Sequence, residues 1–250
     1  MSPRRSRFFG NTAALVASTA LGTALALAQM KILAVVLPLA TFGLFASLRG
    51  LSLLVAMLAA NGFPQLLTRY LPEHAARGER AAASRAAAGA LTLTALSCAV
   101  LLAAVVAAGS VFFAKVPVDA LDARLIFWFA VTTFAVAIKL VVYGGFNGLR
   151  RFGSQTVFET GTLLAQVVWM ALEADRLTLS RLFEIVGVTS LVAALAATPW
   201  LAGRLRRDVA PASGAPESSA SYRGYWLGAA GLSVVALAFT DADRWVLSNV

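Results

Sequence analysis

The sequence predicts an all-α protein, a polytopic bundle of membrane-spanning helices. Three observations carry that reading. Hydrophobic residues make up 59% of the 250-residue chain and charged residues 13%, about half the charged share of an ordinary soluble domain. Mean hydropathy is +0.78. The apolar residues fall in runs of about 20, the length that crosses a hydrocarbon core as a helix, with short basic loops between them.

About seven spans follow in order. The first, 8–29, comes after the basic stretch MSPRRSR and resembles a signal peptide. Its apolar run is longer than a signal core and more spans follow, so it reads as retained. The second, 39–62, is set off from the apolar ILAVVLPLATFG by Pro38 and Gly43, which mark an interfacial break. The third, 86–113, is an Ala/Leu run holding Cys98, and the fourth, 125–147, contains Lys139. The fifth, 153–173, repeats Gln155, Glu159, Thr162, Gln166, Trp169 and Glu173 at three- or four-residue spacing, which puts them on one helix face. The sixth is 182–203. A Pro/Ser/Gly/Ala-rich stretch, RLRRDVAPASGAPESSASYRG, has the composition of a flexible linker and leads to the seventh, 224–248.

The chain therefore divides into a six-helix N-terminal lobe (1–204), a cytoplasmic linker (205–223) and a seventh span (224–250). Span seven weakly echoes span one, pairing Gly10 with Gly224 and Leu33 with Leu247, as the start of a second repeat would. With the N-terminus placed in the cytoplasm, thirteen Lys/Arg residues fall in inside segments and five outside, while Arg49, Lys139 and Arg244 lie within spans. That split is the bias expected of cytoplasmic loops.

Composition also excludes function classes. The net charge of +9 is spread over short loops rather than gathered on an arm or face, which argues against nucleic acid as a partner. Cys98 is the only cysteine, so no internal disulfide forms, and it reads as a small buried side chain. His74, the only histidine, falls in what reads as a polar loop. No Cys/His/Asp cluster at zinc-ligand spacing, phosphate loop or nucleophile elbow is present, so neither an enzyme nor a cofactor is expected.

The informative residues are the ionisable ones inside the spans. Burying such a group costs roughly 2.5–3.5 kcal/mol on insertion scales, and groups that costly face a protein interior or a water-filled pathway. Arg49 and Lys139 lie about midway along spans two and four. Turned toward one cavity, they would attract an anion such as a pyrophosphate, Arg through paired hydrogen bonds and Lys as a point charge. The alternatives are pairing with Glu159 or Asp241, or snorkelling to an interface. The span-five face, with Gln166 in it, reads either as cavity lining or as a helix–helix seam. Glu159, Asp241 and Asp243 are candidate ion-coupling carboxylates, although Asp241 and Arg244 are spaced to pair with each other. The tryptophans lie mostly near span ends, as an interfacial belt.

Three stretches carry a family likeness. LATFGLFASLRGLSLLVAMLAANGFPQLLTRYLPEHAARGE has an FG-x-F entry (Phe42, Gly43, Phe45), a Gly-ending span (Gly62) and an R-Y-x-P-E loop (Arg69, Tyr70, Pro72, Glu73). GGFNGLRRFGSQTVFE and DADRWVLSNV add to it. These resemble the polysaccharide-exporting flippases of the multidrug/oligosaccharidyl-lipid/polysaccharide exporter superfamily. The resemblance implies two facing lobes, alternating access across the bacterial inner membrane, and a lipid-diphosphate-linked oligosaccharide as substrate. Arg49, Lys139 and Gln166 would bind it, with Glu159, Asp241 and Asp243 coupling an ion. The lipid bilayer is an implied partner, and polysaccharide polymerase or glycosyltransferase enzymes are further ones. The chain departs from the family by stopping after the first helix of the second lobe, as a truncated product or a fragment would. The competing readings are a drug or metabolite exporter of the same superfamily and a non-transporting scaffold for polysaccharide synthesis.

Overall fold

The computed structural model describes residues 3–108 and 122–209, with side chains from Thr19 onward. Span seven, with Asp241, Asp243 and Arg244, lies outside the described residues. Within them the protein is all-helical, and a helix occupies the place of each of the first six spans. These are α1 (Pro3–Val36), α2 (Leu39–Ala60), α4 (Arg80–Ala107), α5 (Ala123–Gly148), α6 (Phe152–Leu172) and α7 (Leu179–Asp208). A seventh helix, α3 (Phe63–Arg77), sits between the second and third of them. Windows in α1, α2, α4, α5 and α7 are long and apolar enough to cross a membrane. At ~1.5 Å per residue α6 also spans about 30 Å, but its polar face lowers its hydropathy. The chain is a multi-pass membrane protein.

Local chemistry sets the boundaries. α1 runs past the expected end at 29 because nothing stops it before Pro38, which has no N–H to donate and disfavours helix in the residue before it. Pro38 (φ −55°, ψ 143°) then caps α2, and Gly43 lies inside that helix rather than at a break. α2 closes through Asn61 in the left-handed region (φ 40°), whose N–H donates to Met57 O. Gly62 (φ 77°) reverses the chain into α3, where Pro64 occupies the first turn. Thr178 and Asp122 cap α7 and α5, each accepting from a backbone N–H three residues on.

The segment containing His74 corrects the sequence reading. Pro72 and the charges made it look like loop, yet Phe63, Leu66, Leu67, Tyr70, Leu71 and His74 recur at helical spacing and are all buried. His74 is part of the interior, its Nδ1 2.7 Å from Glu79 Oε2. α3 docks tightly on α5: a Cβ at Gly144 would lie 2.5 Å from Pro64 Cα, and one at Gly148 2.5 Å from Leu67 O. Only glycine permits that approach.

α5 is the central helix, packed on α2, α3, α4 and α7, while α6 leans on α1 and α7. Buried residues form two main clusters. One gathers Phe45, Phe129, Phe183, Leu125 and Leu182 at the end away from α3. The other gathers Leu67, Leu71, Phe146 and Leu201 at the α3 end. Because α6 touches α5 only sparsely, a space remains between them. Exposed Val157, Leu164, Val168 and Leu172 cover the other side of α6 with apolar groups.

Candidate functional site

The turn joining α5 to α6 makes the two helices antiparallel. Arg151 N–H donates to Phe146 O, closing α5, and Arg150 takes φ 56° to redirect the chain. Lys139 precedes that turn and Glu159 follows it by similar counts, so both stand roughly 15 Å from it at ~1.5 Å per residue. By the same reckoning Gln155 lies level with Tyr143 and Asn147, and Gln166 level with Thr132. Ser52 is fixed to the level of Thr133 by a 2.8 Å hydrogen bond that Thr133 Oγ1 donates, which sets Arg49 one turn farther from α3.

These levels enclose one cavity of about 790 Å³ between α2, α3, α5, α6 and α7. Arg49, Lys139, Glu159 and Gln166 all line it, with Gln155 and Thr162 from the same face of α6. The cavity-lining alternative for that face therefore holds for four of its six residues. Trp169 and Glu173 do not line it. They belong to a clasp at the end away from α3, where Glu173 accepts from Trp169 Nε1 (2.9 Å) and Arg181 Nε (2.5 Å). Arg181 also pairs with Glu184, which pairs in turn with Arg124. The Arg181 hydrogen bonds, then that from Trp169, pull the Glu173 carboxyl down to about 2.

At the end away from α3, Arg49 and Gln166 of the cavity wall belong to a polar network that continues behind it. Arg49 Nη1 donates to Gln29 Oε1 (3.5 Å), Gln29 Nε2 to Gln166 Oε1 (3.4 Å), and Gln166 Nε2 to Thr189 Oγ1 (3.1 Å). Thr189 Oγ1 donates in turn to Ile185 O at 2.7 Å. Four helices are stitched by that chain. Gln29, 2% exposed, is the main residue that sequence reasoning missed, since it stood at the expected end of span one. Tyr143 and Asn147 were also missed, although Lys139, Tyr143 and Asn147 are spaced i, i+4, i+8 and share a face of α5.

The cavity also holds formal charges. Among the described residues neither Arg49, Lys139 nor Glu159 has an ion-pair partner within 4 Å. Arg49 lies 5.9 Å from the Phe45 ring centroid and Lys139 5.8 Å from that of Tyr143. Arg49 and Lys139 outnumber the single carboxylate of Glu159 in the same cavity, which leaves a net local attraction for an anion. A second crevice of about 400 Å³ opens between α1 and α6 and shares Gln155 and Glu159 with the main cavity.

A sequence model of the family described as "Polysaccharide biosynthesis protein" matches residues 8–202. Comparison with curated proteins and with solved structures gave no match.

Proposed function

The chain belongs to the polysaccharide biosynthesis protein family, and on that premise we propose that it is the N-terminal lobe of a flippase for lipid-linked oligosaccharide. The polar headgroup enters the cavity from the cytoplasmic side while the prenyl tail stays in the bilayer of the inner membrane. Arg49 and Lys139 hold the diphosphate, Arg49 with Gln166 behind it through Gln29. Glu159 is the coupling carboxylate inside the lobe, with Asp241 and Asp243 as further candidates on span seven. Rocking against a second lobe moves the site from one side to the other.

The observation that supports this reading best is the convergence of Arg49 and Lys139, from different helices, on one cavity without an ion-pair partner. A cation-selective drug exporter would place acidic groups in the majority there. The test is translocation of a lipid-linked oligosaccharide in proteoliposomes. Arg49→Ala and Lys139→Ala should each slow it at least tenfold, the scale of one lost charge-assisted hydrogen bond of about 1.5–3 kcal/mol. Wild-type rates in both variants would overturn the assignment.

A further inference from the structure

The α3 end of α7 carries cations that lie outside the cavity. Arg204 follows Glu184 of the clasp by 20 residues on the same helix, about 30 Å by helical rise, which is the thickness of a hydrocarbon core. With the clasp at one face of the membrane, Arg204 stands at headgroup depth on the other. Trp200 stands one turn deeper, where interfacial tryptophans lie. Trp200 is 50% exposed yet held in place. Its Nε1 donates to Ser154 Oγ of α6 (3.3 Å), and its ring packs edge-on against Phe158 with centroids 6.4 Å apart. The Arg204 guanidinium lies over that ring, 5.2 Å from its centroid. Its charge therefore rests on a fixed aromatic platform rather than at the end of a free side chain.

The acid nearest to Arg204 in sequence is already taken. Asp208 accepts from Arg151 Nε (2.9 Å) and Nη2 (2.7 Å), a bidentate pair that uses both carboxylate oxygens. Arg204 and Arg207, three apart, share a face of α7. Among the described residues neither has an ion-pair partner within 4 Å. Exposed apolar side chains adjoin them: Phe152 and Val157 in the first turns of α6, and Leu195 and Val192 within about two turns of Trp200 on α7. An acidic protein segment would match the charges but not these apolar groups. A lipid with a net negative headgroup and two acyl chains matches both. A zwitterionic lipid carries its own cation beside the phosphate and gains less from the guanidiniums.

We propose that Trp200, Arg204 and Arg207 form a binding site for an anionic glycerophospholipid, its phosphate on the guanidiniums and its acyl chains along the apolar flanks of α6 and α7. The site is on the outside of the bundle and does not depend on the transport reading. The test uses the purified full chain in detergent and two probes, dioleoyl phosphatidylglycerol and dioleoyl phosphatidylcholine, with bound lipid counted by native mass spectrometry during titration. The wild type should hold one phosphatidylglycerol about fivefold or more tightly than phosphatidylcholine, the scale of one basic residue at an anionic lipid surface. Arg204→Gln should remove that preference and leave phosphatidylcholine binding unchanged. Arg204→Lys, which keeps the charge and loses the bidentate geometry, should fall between. Arg85→Gln is the control: Arg85 is exposed on α4, also without an ion pair among the described residues, and its loss should leave the preference intact. Phosphatidylglycerol brominated on its acyl chains should quench tryptophan fluorescence more in the wild type than in Trp200→Phe. Equal affinity of the wild type for both lipids, the result expected if this corner meets an acidic protein instead, would overturn the site. So would an equal loss in Arg204→Gln and Arg85→Gln, which would mean general basicity.

Discussion

The contact of α3 with α5 makes a quantitative prediction for Gly144→Ala. The new Cβ would lie 2.5 Å from Pro64 Cα, 2.6 Å from its carbonyl oxygen and 2.9 Å from its carbonyl carbon. Ordinary carbon contacts lie at about 3.5–4.0 Å, so α3 must retreat by roughly 1 Å. All three atoms are backbone, and no side-chain rotation relieves the overlap. Overpacking of this kind costs about 1–3 kcal/mol, against which Ala returns up to ~1 kcal/mol of helix propensity. Because the clash is with backbone the upper part of the range applies, for a net loss of about 2 kcal/mol. For a domain of this size that lowers the melting temperature by roughly 4–8 °C. The assay is thermal unfolding of the purified chain in detergent, with Gly89→Ala as control. Gly89 lies within α4 with nothing within 4 Å of its would-be Cβ, so that substitution should stabilise by about 0.5–1 kcal/mol. A Gly144→Ala protein that melts with or above the wild type would refute the reasoning about how α3 is held.

Two further predictions concern the two ends of the bundle. Gln29→Leu leaves Arg49 and Gln166 without the amide that joins them, a cost of about 1–3 kcal/mol for partners left unsatisfied in a buried site; a thermal melt matching wild type would show the network to be unimportant. Glu173 has its folded-state pKa depressed from 4.5 to about 2, chiefly by the Arg181 hydrogen bonds. Its contribution is therefore present above about pH 4.5 and lost as pH falls toward 2. Melting temperature followed from pH 6 to pH 2.5 should fall less steeply in Glu173→Gln than in the wild type, and parallel profiles would remove Glu173 as a stabilising group.

The helices were legible because burial in lipid demands long uninterrupted apolar runs, a signal that needs no knowledge of tertiary structure. α3 was not, since an amphipathic helix of fifteen residues with Pro72 near its end carries no such run. Its six buried positions were visible as a periodicity, but what they pack against was not. The lining role of Glu159 and Gln166 was half legible: spacing put them on one face, while the cavity on that side depends on how α6 is rotated and leans on α1 and α7. Gln29 shows the opposite failure. Read as a helix end it is unremarked, and only the continuation of α1 to Val36 turns it into an interior residue linking Arg49 to Gln166.

One helix of spanning length, α6, is less apolar than its neighbours, and it contributes four polar groups to the cavity, as many as α5. α6 falls outside the apolar helices because Gln155, Glu159, Thr162 and Gln166 interrupt its hydrophobicity. Its remaining surface is apolar and exposed at Val157, Leu164, Val168 and Leu172, so the helix sits between lipid and a polar interior. In lipid no water is available to satisfy a polar side chain, and each such group needs a partner within the protein. Gln166 finds its partners in Gln29 and Thr189. Gln155 and Glu159 do not, among the described residues, and they are shared by the main cavity and the crevice against α1. Satisfied groups hold the bundle together; on the function proposed above, the unsatisfied ones are where a polar headgroup would bind.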